Sequence, residues 1–138
     1  MKDMQTGWKK IAVADVAQVV TGRTPPTARA EYFNGSIPVV TPGDLGKTKC
    51  VQSSEITLTH EGANKSPIIP EGSTLFTCIG SSIGKIGFSG KELRTNQQIN
   101  SAIPNHIEPE YLYYALAHLS KRIKKVAGVQ AIPIINKT

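Results

Sequence analysis

Leu75-Phe76-Thr77-Cys78-Ile79-Gly80-Ser81-Ser82-Ile83-Gly84-Lys85-Ile86-Gly87-Phe88 places two short apolar runs on either side of a string of small residues. The first run, Leu75 to Ile79, reads as a buried strand, and the small residues let the backbone turn tightly. A second strand is expected from Lys85 to Ser89. Thr95-Asn96-Gln97-Gln98-Ile99-Asn100 follows, a polar string of amides running into a further strand, Ile99 to Ile103, that Pro104-Asn105 ends. No helix-length pattern separates these strands. A mixed or antiparallel sheet is therefore expected, unlike the regular strand–helix alternation of a parallel cofactor-binding fold. The amides suit a hydrogen-bonding scaffold and do not resemble a proton-transfer site.

Towards the N-terminus, Val13, Val16, Ala17 and Val20 fall at helical spacing, yet Val16, Val19 and Val20 are β-branched and favour a strand. Gly7 to Val20 is expected to form a short strand, one or two helical turns and a second strand, stopped at Gly22. Trp8 is read either as a packing residue or as a base-stacking platform. Arg23-Thr24-Pro25-Pro26-Thr27-Ala28-Arg29 is a loop by its paired prolines. Asn34-Gly35, between Tyr32-Phe33 and Ile37-Pro38-Val39-Val40, is the strongest hairpin-turn signal in the chain. The strand Pro38 to Thr41 then delivers a second loop, Thr41 to Lys49. Ser53 to Thr59 alternates as an amphipathic strand, His60 to Ser66 is a third loop, and Pro67 to Ser73 is a tight turn feeding the Leu75 strand.

Pro109 opens the clearest helix, because proline suits the first helical position and Glu108 and Glu110 favour the positive end of the helix dipole. Leu112, Ala115, Leu116, Leu119, Ile123 and Val126 form its core-facing stripe. Lys121, Arg122, Lys124 and Lys125 crowd the last turns before Gly128, where they either complement the dipole or face phosphates. Val129 to Asn136 is extended. The expected class is α+β: a twisted mixed or antiparallel sheet with a C-terminal amphipathic helix, in one domain over residues 1–138.

Sixteen Lys and Arg against ten Asp and Glu leave a net charge of +6 and a pI near 9.4. That balance favours a polyanionic partner, nucleic acid before membrane, and no run approaches the ~20 apolar residues of a membrane span. The hydrophobic share, 39%, supports a packed core. Met1 to Gln5 precedes no signal-peptide core, so a cytoplasmic location is expected. Cys50 and Cys78 read as free thiols, and the scattered His60, His106 and His118 give no metal-ligand spacing. The sequons at Asn34, Asn64 and Asn136 are read as chance matches.

Gly80 to Lys85 is not a phosphate-binding loop: only three residues separate the glycines and Ile86 follows the lysine, where Ser or Thr would hold Mg²⁺. There is no Gly-x-Gly-x-x-Gly run and no Gly-x-Ser-x-Gly elbow. Asp44 and Glu55 lack a nuclease-like metal pattern, and the Asn-Pro-Pro-Tyr type of sequence that flips and methylates adenine is absent. The chain is expected to have no catalytic residues, no metal site and no cofactor of its own.

Taken in order, Trp8, Asp15-Val16, Gly22-Arg23-Thr24-Pro25, Tyr32 to Leu45, Gly80 to Gly87, Thr95 to Asn100 and Tyr111-Leu112-Tyr113-Tyr114 closely resemble a target recognition domain of the DNA-specificity subunit of type I restriction-modification systems. The likeness runs from about Trp8 to Asn136. It implies a domain that docks on double-stranded DNA and reads half of a bipartite target. It also implies methyltransferase subunits and an endonuclease–translocase subunit as partners, with S-adenosylmethionine, Mg²⁺ and ATP held by those partners. The family's long spacer helix would begin where this sequence ends, at Ile134 to Thr138. One recognition domain without a spacer is therefore expected, and a second specificity half-subunit is a further candidate partner.

Within that frame, Arg23, Thr24, Arg29, Asp44, Lys47, Lys49, Asn64 and Lys65 are the loop candidates for base contact. Asn96, Gln97 and Gln98 join them, because amides can pair with adenine as arginine or lysine pairs with guanine, although the same amides can serve the loop backbone instead. Lys85, Arg94, Lys121, Arg122, Lys124 and Lys125 are the phosphate candidates. The competing expectation is a protein-interaction or half-subunit module that binds DNA only non-specifically when isolated.

Overall fold

The computed structural model describes residues 8–77, 85–119 and 133–137. The expected strand, turn and strand at the N-terminus are present: β1 (Trp8–Ala12), a 3-10 turn (Val13–Asp15) and β2 (Ala17–Thr21). β3 (Phe33–Val40), β4 (Cys50–Val51) and β5 (Ile56–Leu58) follow, then the short helix α1 (His60–Ala63). β6 (Thr74–Thr77), β7 (Ile86–Ser89), β8 (Arg94–Thr95) and β9 (Ile99–Pro104) lead into α2 (Pro109–His118), and β10 (Pro133–Lys137) closes the order.

Pairing is mixed, as expected. One sheet runs β2-β9-β6-β7-β4, a second runs β5-β3-β8, and β1 pairs with β10. The β4–β7 and β3–β8 pairs are parallel and the others antiparallel. β6 is the middle strand of its sheet, and all four of its residues are buried. Side chains alternate across a strand, so Phe76 meets Val13, Val16, Leu112 and Leu116 on the helix side. Leu75 meets Val40, Leu45, Leu93 and Ile99 on the other. α2 begins at Pro109 as expected, with Glu108 as N-cap accepting from the Tyr111 amide at 2.9 Å.

Two expectations are corrected. Asn34-Gly35 does not turn a hairpin; it forms an irregularity inside β3, where Phe33 and Ile37 both oppose Leu58. A bulge needs the same backbone freedom as a tight turn. Asn34 takes φ +64°, and a Cβ on Gly35 would sit 2.3 Å from the Leu58 carbonyl oxygen. The amphipathic strand is also shorter than Ser53 to Thr59. The Ser54 hydroxyl accepts from the Val39 amide at 3.0 Å and donates to the Ile56 carbonyl, so a side chain replaces the ladder there.

Candidate nucleic-acid interface

The sheet edges bring three of the sequence's separate polar segments together. β2 is followed by Gly22, whose amide donates to the Ile99 carbonyl at 3.1 Å, while the Arg23 amide donates to the Thr95 carbonyl at 2.9 Å. These bonds seat the Arg23–Arg29 loop on the turn between β8 and β9. A Cβ on Gly22 would lie 2.1 Å from the Thr95 hydroxyl and 2.2 Å from the Asn96 carbonyl oxygen, so this approach requires glycine. Thr24 then donates to the Gln97 side-chain oxygen at 3.3 Å.

α1 is the third segment. Its N-cap Thr59 accepts from the Gly62 amide at 3.2 Å and donates to the Glu31 carbonyl at 2.8 Å. Gly62 packs on the Tyr32 carbonyl, which a Cβ would approach to 2.2 Å. The Ser66 hydroxyl donates to the Arg23 carbonyl and ties the end of this segment to the first loop. Arg23, Thr24, Arg29, Asn64, Lys65, Asn96, Gln97 and Gln98 are thereby carried by three mutually bonded segments, and all but the half-buried Thr24 and Asn96 are exposed. Sequence reasoning missed α1, although Thr59 ahead of His60-Glu61 is a recognisable cap signal.

The amides divide in role. Asn96 uses its side-chain oxygen to accept from the Gln98 amide at 3.0 Å, and its own amide donates to the Val40 carbonyl at 3.0 Å. That is an Asx turn holding the loop. Gln97 and Gln98 project from it.

Arg29 and Lys65 flank Tyr32, with the Arg29 Cζ 5.3 Å and the Lys65 Nζ 5.9 Å from the ring centroid. Arg29 Nε donates to Glu31 Oε2 at 2.9 Å, and Nη2 lies 2.8 Å from the same oxygen. This hydrogen bond, with the attraction between the charges, raises the guanidinium above its ordinary range. The Arg29 hydrogen bond likewise holds the Glu31 carboxyl below the usual glutamate range.

The other candidates stand in different surroundings. Asp44 closes the Thr41–Leu45 turn: Oδ2 accepts from the Thr41 amide at 2.9 Å and Oδ1 from the Glu55 amide at 3.3 Å. Lys47 is exposed at a recess of about 330 Å³ that Asp44, Thr48 and Glu55 also line. Lys49 turns to α2, where Nζ meets Tyr114 Oη at 3.0 Å and Glu110 at 2.9 Å, with the Phe88, Tyr113 and Tyr114 rings 4.6–5.4 Å away. The Tyr114 hydroxyl, then the Glu110 carboxylate, hold this ammonium above the ordinary lysine range. Lys85 is exposed and touches the Pro42 carbonyl at 3.3 Å.

Arg94 is a correction. It is 5% exposed, and its guanidinium donates to the Ala63 carbonyl at 3.1 Å and the Leu93 carbonyl at 3.3 Å. It fastens α1 to β8 and is not offered to a phosphate. Lys121, Arg122, Lys124, Lys125 and the Gly80–Gly84 stretch, expected as a tight turn, lie outside the described residues. Among the described residues no three His, Cys, Asp or Glu side chains converge as metal ligands.

The family model for the Type I restriction modification DNA specificity domain matches residues 5–138. The specificity subunit of the Haemophilus influenzae type I restriction enzyme HindI is 30% identical over 127 residues, covering 88% of this chain and 28% of that protein. The Methanocaldococcus jannaschii MjaIX specificity subunit is 31% identical over 133 residues, covering 91% and 31%. The crystal structure of an HsdS subunit from Thermoanaerobacter tengcongensis superposes with a TM-score of 0.77 at 18% identity, over 99% of this chain and 34% of that one. The chain thus spans about a third of the length of the proteins it matches.

Proposed function

We propose that this chain, which belongs to the Type I restriction modification DNA specificity domain family, recognises base sequence in duplex DNA and reads one half of a bipartite target. In this reading it is not an enzyme. Methylation and cleavage fall to methyltransferase and endonuclease–translocase partners, which would hold the S-adenosylmethionine, Mg²⁺ and ATP. The observation that carries the reading is the convergence of the Arg23–Arg29 loop, α1 and the Thr95–Gln98 turn. That convergence sets cations beside projecting amides on a surface held by backbone and side-chain hydrogen bonds.

Such a surface combines the two components of sequence recognition. Arg23 and Lys65 supply attraction to phosphate, which fixes position and carries no sequence information. Gln97 and Gln98 offer paired donors and acceptors to base edges. Because the loops are tied to each other, less ordering entropy is lost on docking.

The test is selection from a randomised duplex pool at ~100 mM salt, where phosphate attraction is partly screened. Enrichment of one short motif is expected. Affinity should fall with added salt at a slope of about −0.9 per phosphate contacted, and Lys65→Ala should flatten that slope by roughly one contact. Retention of DNA without any enriched motif would remove sequence reading from this chain.

A further inference from the structure

The geometry points to Arg29 as a guanine-reading residue and to Glu31 as the positioning residue that aims it. This rests on the DNA-recognition reading above and specifies the chemistry of one base contact.

Arg29 is restrained on two sides. Glu31 Oε2 occupies the edge formed by Nε and Nη2, at 2.9 and 2.8 Å, while the Tyr32 ring lies against the guanidinium with its centroid 5.3 Å from Cζ. Tyr32 is itself only 6% exposed and its carbonyl accepts from the Thr59 amide at 3.0 Å, so the ring is a fixed platform. Despite these contacts, 57% of the Arg29 side chain remains exposed. The donors left over are those of Nη1 and the outer hydrogen of Nη2. They form the end-on fork that matches O6 and N7 of guanine in the major groove.

A carboxylate so close to DNA is unfavourable for phosphate binding. It is useful where the guanidinium must be held in one plane and one direction, since a planar fork discriminates only when its orientation is set. Glu31 should therefore lower affinity for DNA in general and raise the preference for one base, a trade of attraction for selectivity. A lysine at position 29 would retain the charge and lose the fork.

Pool selection with the full chain, wild type against Glu31→Gln and Arg29→Lys, tests this, with titrations of unrelated duplexes alongside. Wild type is expected to enrich guanine at one position of its motif. Arg29→Lys should reduce that preference about 10-fold or more while the other positions keep theirs. Glu31→Gln should weaken the same preference and bind unrelated DNA more tightly, a pair of opposite changes that a merely structural residue would not produce. Both side chains are exposed, and an unchanged melting temperature would verify folding. An Arg29→Lys protein that keeps the guanine preference, with its affinity for all sequences shifted alike, would make Arg29 a phosphate contact and overturn the inference. A motif whose every position survives both substitutions overturns the inference alone, whereas a wild-type pool with no motif overturns DNA reading and the inference together.

Discussion

Gly22→Ala tests how the interface is built. The φ of Gly22 lies outside the left-handed region, so alanine can adopt its backbone and would gain about 0.4–1 kcal/mol from a less disordered unfolded chain. Steric overlap opposes this. The new Cβ would stand 2.1 Å from Thr95 Oγ1, 2.2 Å from the Asn96 carbonyl oxygen and 2.4 Å from that of Thr95. Two of these neighbours are backbone, so the loops must separate by roughly 1 Å to reach even ~3.0 Å, a distance real Cβ atoms scarcely go below.

That separation would break the Gly22–Ile99 and Arg23–Thr95 hydrogen bonds, worth about 1 kcal/mol each, and add about 1–3 kcal/mol of overpacking. The net loss is about 2–4.6 kcal/mol. For a chain of this size it lowers the melting temperature by roughly 6–16 °C. Gly43→Ala is the control, because its nearest neighbour would be Thr41 Oγ1 at 3.8 Å. Thermal melts of both variants, followed by DNA selection, give the comparison. A Gly22→Ala protein that melts within about 2 °C of the Gly43→Ala control and keeps the wild-type motif would refute the claim that this contact sets the two loops.

Arg94→Met should lose about 1–3 kcal/mol by leaving the buried Ala63 carbonyl without its donor. Thermal denaturation would measure the loss, and amide exchange at α1 should accelerate with it. Tyr113 is pushed up by burial and drawn back by Lys49, so Lys49→Met should move its phenol further up in an ultraviolet pH titration. Glu31 titrates below an ordinary glutamate because of Arg29. The stabilisation from their pairing is therefore present above the unfolded-state glutamate range and is lost as pH falls through the lower folded value. A carboxyl NMR titration of Glu31 should show that depressed midpoint in wild type and a higher one in Arg29→Gln, where only the backbone hydrogen bond still lowers it.

Local chemistry determined much of the fold. The clash of helical spacing with β-branched residues before Gly22 resolved as a 3-10 turn between two strands, and Pro109 after Glu108 opened α2. Closely spaced strands without intervening helices implied mixed pairing. These are short-range properties of backbone and side chain, and they are legible in sequence.

What the sequence left open depended on partners distant along the chain. Asn34-Gly35 supplies the same conformational freedom to a hairpin or a bulge, and only the arrival of Leu58 decides between them. Arg94 reads as a surface cation until the Ala63 carbonyl is placed beside it. Thr24 and Gln97 meet across 73 positions, a contact that no local pattern encodes. Composition and motif order indicated a basic domain with polar loops. Which loops adjoin, and which charges remain free, was decided by sheet pairing and by buried carbonyls that had to find donors.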